Sequence, residues 1–140
     1  MQMPHGFAIL APTTTKFDTM PKPGKKGLPR IIDAAGYSWQ GLKYAYTNEA
    51  AFREECWLLP FIIVAAFWLG DSAEQVVLLL IPTFLVLITE LLNSGIEAVV
   101  DRISDEVHPL SGAAKDMGSA AVFMAMMLFL VIWVGVIFFG

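Results

Sequence analysis

The stretch Glu90-Leu-Leu-Asn-Ser-Gly-Ile-Glu-Ala-Val-Val-Asp101 decides how the rest of the chain is read. It sets three carboxylates and an amide at the end of a long apolar run. On a helix turning ~100° per residue, Glu90, Asn93, Glu97 and Asp101 fall within an arc of roughly 80°. Leu91, Leu92, Ile96 and Val99 form the opposite, hydrocarbon face. Ionisable groups in a membrane helix are costly to hold there, so their default reading is functional.

Composition places that helix in a bilayer. The 140 residues are 56% hydrophobic and only 16% charged, more apolar surface than a soluble domain of this size can bury. Mean hydropathy is +0.63. The net charge of −4 hides a segregation: all nine Lys and Arg lie before Trp57 or between Arg102 and Lys115. By the positive-inside rule both regions are cytoplasmic, and Asp71–Gln75, which has acids but no base, faces outward. The bases form no extended run, and no nucleic-acid partner is expected. Cys56 is the single cysteine, which excludes an intrachain disulfide.

Upstream of the stripe, residues 1–28 carry Pro4, Pro12, Pro21, Pro23 and four lysines, and read as a disordered cytoplasmic extension. The remainder, 29–140, is one membrane domain. An amphipathic surface helix over 29–52 is expected, with Ile31, Ile32, Ala35, Trp39, Leu42 and Tyr46 on one face. Glu49 falls at the edge of that face, so either the helix has turned or ended there or the carboxylate is used. Three spans follow, over about 52–70, 76–100 and 117–139. In the first, Arg53, Glu54 and Glu55 sit at the cytoplasmic interface, Pro60 is a possible kink, and Trp68 reads as an anchor near the outer end. In the second, Pro82 is a possible bend, and Glu90 lies ~21 Å from the outer edge, still inside a core of ~30 Å. Glu97 lies ~10 Å further along, at the interface. The third span enters through small residues, Gly118-Ser119-Ala120-Ala121, which allow close helix approach. The fold class is therefore all-α integral membrane, with the N-terminus cytoplasmic and the C-terminus outside.

Three readings of the stripe compete. Polar glue between helices is one. An ion or proton path is another, but Val76–Thr89 offers it only Thr83 and Thr89. The third is interfacial chemistry on a lipid, with desolvated Glu90 as general base and Glu97 plus Glu49 as oxygen ligands of magnesium. Lys115, Arg30 and His108 are available to phosphate oxygens. No Gly-x-x-x-x-Gly-Lys-Ser/Thr loop and no protein-kinase motif set is present.

Glu90–Asp101 closely resembles the signature of the prokaryotic diacylglycerol kinases, small integral-membrane lipid kinases. So do Arg30-Ile-Ile-Asp-Ala-Ala-Gly-Tyr-Ser-Trp39, Asn48-Glu-Ala-Ala-Phe-Arg53 and Leu110-Ser-Gly-Ala-Ala-Lys-Asp-Met-Gly-Ser-Ala-Ala121, in the family's order and spacing. The resemblance implies a homotrimer with active sites shared between protomers, in the bacterial inner membrane. It implies transfer of the ATP γ-phosphate to diacylglycerol, giving phosphatidic acid, with Mg2+. It implies Glu90 as general base, Asn93 as a residue needed for activity, and Glu49 and Glu97 as metal ligands. It also implies nucleotide contacts at Arg30, Tyr37, Glu49, Glu97, Glu106, Val107, His108, Lys115 and Asp116. The lipid side would be Arg30, Ala35, Trp39, Glu55, Trp68, Glu90 and Ser119. Ala113 stands where some members carry Arg. The alternatives are an undecaprenol kinase of the same fold and, in another class, a non-enzymatic membrane assembly or transport module.

Overall fold

The computed structural model describes residues 26–103 and 108–140. Most of the N-terminal extension (1–25) and residues 104–107, with Glu106 and Val107, lie outside the described residues. Among those described there are four helices and no strand: α1 (Leu28–Asn48), α2 (Ala50–Leu69), α3 (Ala73–Ile103) and α4 (Pro109–Phe139).

By its contacts the chain divides into Met1–Gly36 and Tyr37–Gly140. The described part of the first unit is the start of α1. Gly27 has φ +72°, a left-handed turn that glycine adopts without strain, and its carbonyl accepts from the Arg30 N–H at 3.0 Å.

The second unit begins with the rest of α1. The helix expected over 29–52 is interrupted at Glu49, which is extended (φ −102°, ψ 117°). The physical reason lies in the side chains around the break. Thr47 Oγ1 donates to the Lys43 carbonyl and Asn48 Nδ2 to the Tyr44 carbonyl, at 2.7 and 2.8 Å. Arg53 reaches back from α2 and donates to the carbonyls of Tyr46 and Thr47, both at 3.3 Å. A cation on the orphan carbonyls of a helix C-terminus stabilises that end. Trp57 Nε1 donates to Tyr46 Oη at 2.8 Å, a second tie across the break. Ala45, Phe52 and Leu87 form a buried cluster with Cys56, Leu59 and Leu91 around it, joining the end of α1 to α2 and α3.

A tight link, Gly70-Asp71-Ser72, turns α2 into α3. Ser72 Oγ caps α3 by accepting from the Gln75 N–H at 3.3 Å, and Gln75 Oε1 accepts from the Asp71 N–H at 2.8 Å. Gly70 is required here, because a Cβ would stand 2.7 Å from Val76 Cγ2. Pro60 and Pro82 both lie inside continuous helices, and Pro82 is fully buried.

α3 packs on α2 and, more extensively, on α4. Asp101 meets Lys115, Asn93 meets Gly118 and Leu79 meets Trp133, so α3 and α4 run antiparallel. Their helices have 31 residues each, or ~46 Å at 1.5 Å per residue, more than a hydrocarbon core of ~30 Å. Both are apolar enough to cross a membrane. α2 carries Arg53, Glu54 and Glu55 near its start, and its uncharged part is limited to residues 56–69. α4 buries only Gly118 and Ala125, and its Phe, Met, Leu and Val side chains stand on the outside. This is an all-α membrane protein whose apolar surface faces outward instead of into a core.

Candidate functional site

The polar stripe of α3 keeps the helical register its spacing predicts, and burial divides it. Glu90 and Asn93 are buried, at 8% and 9% exposure, Glu97 is half-buried and Asp101 is exposed. Helix periodicity puts the four side chains in one column, and α2 and α4 cover its deeper end.

Asn93 is the joint of this column. Its Nδ2 donates to Glu97 Oε1 at 3.0 Å. An ionised carboxylate only accepts, so the amide must turn its NH2 towards Glu97 and its oxygen away. That oxygen, Oδ1, is buried and accepts no hydrogen bond among the described residues. It faces Gly118 of α4, where a Cβ would overlap it and lie 3.2 Å from Asn93 Cγ. One turn earlier, the Glu90 carbonyl accepts from Ser94 Oγ at 2.9 Å in addition to its place in the helix.

Further carboxylates converge on this point. Glu90 lies within electrostatic range of Glu97 and of Glu49 at the α1–α2 break. Glu55, two turns into α2, lies within range of Glu90, and its Oε2 is buried without a hydrogen bond among the described residues. Like charges in a low dielectric repel. No group of three or more His, Cys, Asp or Glu among the described residues closes around one point. The donor set is nevertheless all oxygen, as magnesium prefers, and magnesium usually takes only one or two protein carboxylates beside phosphate oxygens and water. The Asn93 bond occupies one oxygen of Glu97 and leaves the other open. These residues therefore fit the ion.

At the exposed end, Lys115 pairs with Asp101 at 2.5 Å. Asp116 is exposed beside it. His108 is the N-cap of α4, its Nδ1 accepting from the Leu110 N–H at 3.2 Å, with Pro109 in the first turn. Ser119 is exposed next to Gly118. Tyr37 and Trp39 are exposed on α1. Arg30 and Ala35 belong to the first unit and are exposed within it. Trp68 stands at the far end of α2, thirteen residues or ~20 Å from Glu55, and is well exposed.

Beside Glu55 a cavity of about 230 Å³ opens between α2, α3 and α4. Leu58, Leu59, Ile62, Val86, Leu87, Met126, Phe129 and Leu130 line it, with Thr83. Its walls suit hydrocarbon, and its one ionisable group sits at the Glu90 end.

Two features of this site are absent from the sequence reading: the Asp101–Lys115 pair and the abutment of Asn93 on Gly118. Opposite charges flanking one loop were a signal for the first. Only the register between α3 and α4 reveals the second.

Known proteins match this sequence over most of its length. The family described as prokaryotic diacylglycerol kinase matches residues 36–137. The diacylglycerol kinase of Escherichia coli (strain K12) is 55% identical over 107 residues, 76% of this chain and 88% of that protein. That of Haemophilus influenzae is 48% identical over 113 residues, covering 81% and 96%. That of Pseudomonas aeruginosa is 50% identical over 113 residues, covering 81% and 92%.

Proposed function

The chain belongs to the prokaryotic diacylglycerol kinase family, and we propose that its phosphoryl transfer is run from the buried end of the α3 stripe. It is an ATP-dependent lipid kinase that phosphorylates diacylglycerol, giving phosphatidic acid. The observation that carries the site assignment is Glu90, buried in an apolar helix one turn from the Asn93–Glu97 pair.

Glu90 is the general base. It takes the proton from the lipid hydroxyl as that oxygen bonds to the γ-phosphorus and the bond to the β–γ bridging oxygen breaks, releasing ADP. Its depth suits a hydroxyl that arrives from the bilayer side. Glu97 and Glu49 would hold Mg2+, with Asn93 fixing the orientation of Glu97. Bound there, the ion would neutralise charge on the β- and γ-phosphates. Lys115 leaves Asp101 for phosphate oxygens, and Arg30, Tyr37, Glu106, Val107, His108 and Asp116 complete the nucleotide side. Glu55 and Ser119 flank the lipid headgroup, and Arg30, Ala35, Trp39 and Trp68 meet the rest of the lipid. The apolar cavity beside Glu55 supports this assignment of the headgroup end.

The active unit is a homotrimer in the inner membrane, with sites completed between protomers, the N-terminus cytoplasmic and the C-terminus outside. The nearly bare α4 and the ~20 Å along α2 between Trp68 and Glu55 support a shared site. α2 is the third span, its charged start at the cytoplasmic interface.

The test is phosphatidic acid formation from ATP and diacylglycerol in mixed micelles. Glu90→Gln should lower kcat by about 10²–10⁴-fold while ATP still binds. Wild-type turnover in Glu90→Gln would remove the base assignment. An undecaprenol arm in the same assay reads the acceptor: preference for it would replace diacylglycerol as substrate.

A further inference from the structure

We propose that Gly118 is a positioning residue for catalysis: its missing side chain makes the slot that holds the Asn93 amide on Glu97. The inference rests on the reading of Glu97 as a metal ligand. Two of the observations are independent of each other. Asn93 spends its NH2 on Glu97 Oε1, leaving Oδ1 buried without a hydrogen bond among the described residues. Gly118 is buried, and a Cβ built on it would overlap that same Oδ1. The amide is thus clamped at both ends, by the carboxylate on its own helix and by the backbone of α4. A buried carbonyl oxygen facing a glycine Cα is also placed for a weak Cα–H···O contact.

The geometry separates positioning from packing. The same Cβ would stand 3.7 Å from Asn93 Cα, an ordinary contact, so the helices need not part to admit it. What must give is the end of the Asn93 side chain. Rotating that amide takes Nδ2 off Glu97 and frees the carboxylate. Gly112 and Gly135, also in α4, have nothing within 4 Å of an added Cβ, so the demand is particular to Gly118.

The experiment uses the full chain in detergent micelles, with Gly118→Ala, Asn93→Ala, the double variant, and Gly135→Ala as the helix control. The primary readout is the Mg2+ concentration that half-saturates binding of a fluorescent ATP analogue, which needs no turnover. Thermal midpoint, kcat and KM for MgATP are measured alongside. Gly118→Ala should raise the half-saturating Mg2+ about 10-fold, the usual loss when a partner of a metal ligand is removed. Its thermal midpoint should stay near that of wild type, and Gly135→Ala should change nothing. In the Asn93→Ala background the added Gly118→Ala should have no further effect on Mg2+. Three results would overturn the proposal: wild-type Mg2+ dependence in Gly118→Ala, a loss that tracks falling thermal stability, or multiplying effects in the double variant. Mg2+-dependent ATP binding without phosphatidic acid formation by wild type would instead sink the kinase reading and leave the Gly118 comparison interpretable.

Discussion

The two halves of α3 treat their polar groups in opposite ways. Between Ala73 and Thr89 each hydroxyl closes on its own helix: Thr83 Oγ1 donates to the Leu79 carbonyl at 3.0 Å, and Thr89 Oγ1 to those of Leu85 and Val86, both at 2.9 Å. The one polar tie to α4, Trp133 Nε1 to the Leu79 carbonyl at 3.1 Å, is also complete. Between Glu90 and Ile103 Ser94 Oγ still closes on the Glu90 carbonyl, at 2.9 Å, and Asp101 pairs with Lys115, but the deeper acidic and amide groups are left open. Asn93 bonds Glu97 through one end only, carboxylates crowd together, and Glu55 Oε2 faces the cluster from α2 without a hydrogen bond. Satisfied polar groups stabilise and specify; buried unsatisfied ones need a ligand to account for them. The first half therefore reads as a structural clamp, and the second fits the proposed reaction site. The closed hydroxyls also offer no relay from Glu90 towards the Ala73 end, which argues against a transmembrane proton path.

The sharpest way to break this division is to neutralise the open half. Glu97→Gln keeps an acceptor for Asn93 but removes the charge that, in the proposed site, would hold Mg2+. Turnover should fall about 10²-fold with the half-saturating Mg2+ raised. Stability in thermal unfolding should hold or rise, because one of several repelling carboxylates is gone. Unfolding of Glu97→Gln with little change in Mg2+ dependence would make the second half structural too, and the contrast would disappear.

How much of this was legible beforehand follows from the physics of each feature. The stripe was legible because 3.6-residue periodicity is a property of one helix, and α3 covers the whole expected span of 76–100. Periodicity puts Glu49 at the edge of the apolar face without saying why the helix ends there. The break depends on Arg53 reaching back to the carbonyls of Tyr46 and Thr47, a side-chain choice that periodicity does not carry. The approach of Glu55 to Glu90, the Asp101–Lys115 pair and the Asn93–Gly118 abutment all depend on register between helices. Register is set by packing along two surfaces at once, and no pattern within one of them fixes it. The small residues after Met117 announced close approach without saying which atom approaches.

A smaller effect is expected from the clamp. Trp133→Phe keeps an aromatic ring to stack on Phe129, with centroids now at 5.2 Å, but removes the N–H given to Leu79 together with the smaller ring of the indole. Hydrogen bonds between membrane helices average ~0.6 kcal/mol, so unfolding in mixed micelles should shift by at least about that amount. Phosphatidic acid formation per folded molecule should be unchanged. A loss of turnover larger than the loss of folded protein would tie the clamp to the chemistry.

Thr83→Val should do least, and it probes the division most finely. Thr83 is buried and lines the cavity that ends at Glu55, so it is the residue of the closed half nearest to taking part in the open one. Its hydroxyl serves a carbonyl that Trp133 already serves, so removing it strands no acceptor. Valine keeps the β-branch and puts a methyl where the hydroxyl was, against apolar walls. Stability should change by no more than ~0.5 kcal/mol, and kcat and KM for diacylglycerol should stay at wild-type values. If Thr83→Val raised KM for the lipid several-fold at unchanged stability, the hydroxyl would be a substrate contact. The boundary between clamp and reaction site would then move about two turns into the first half of α3.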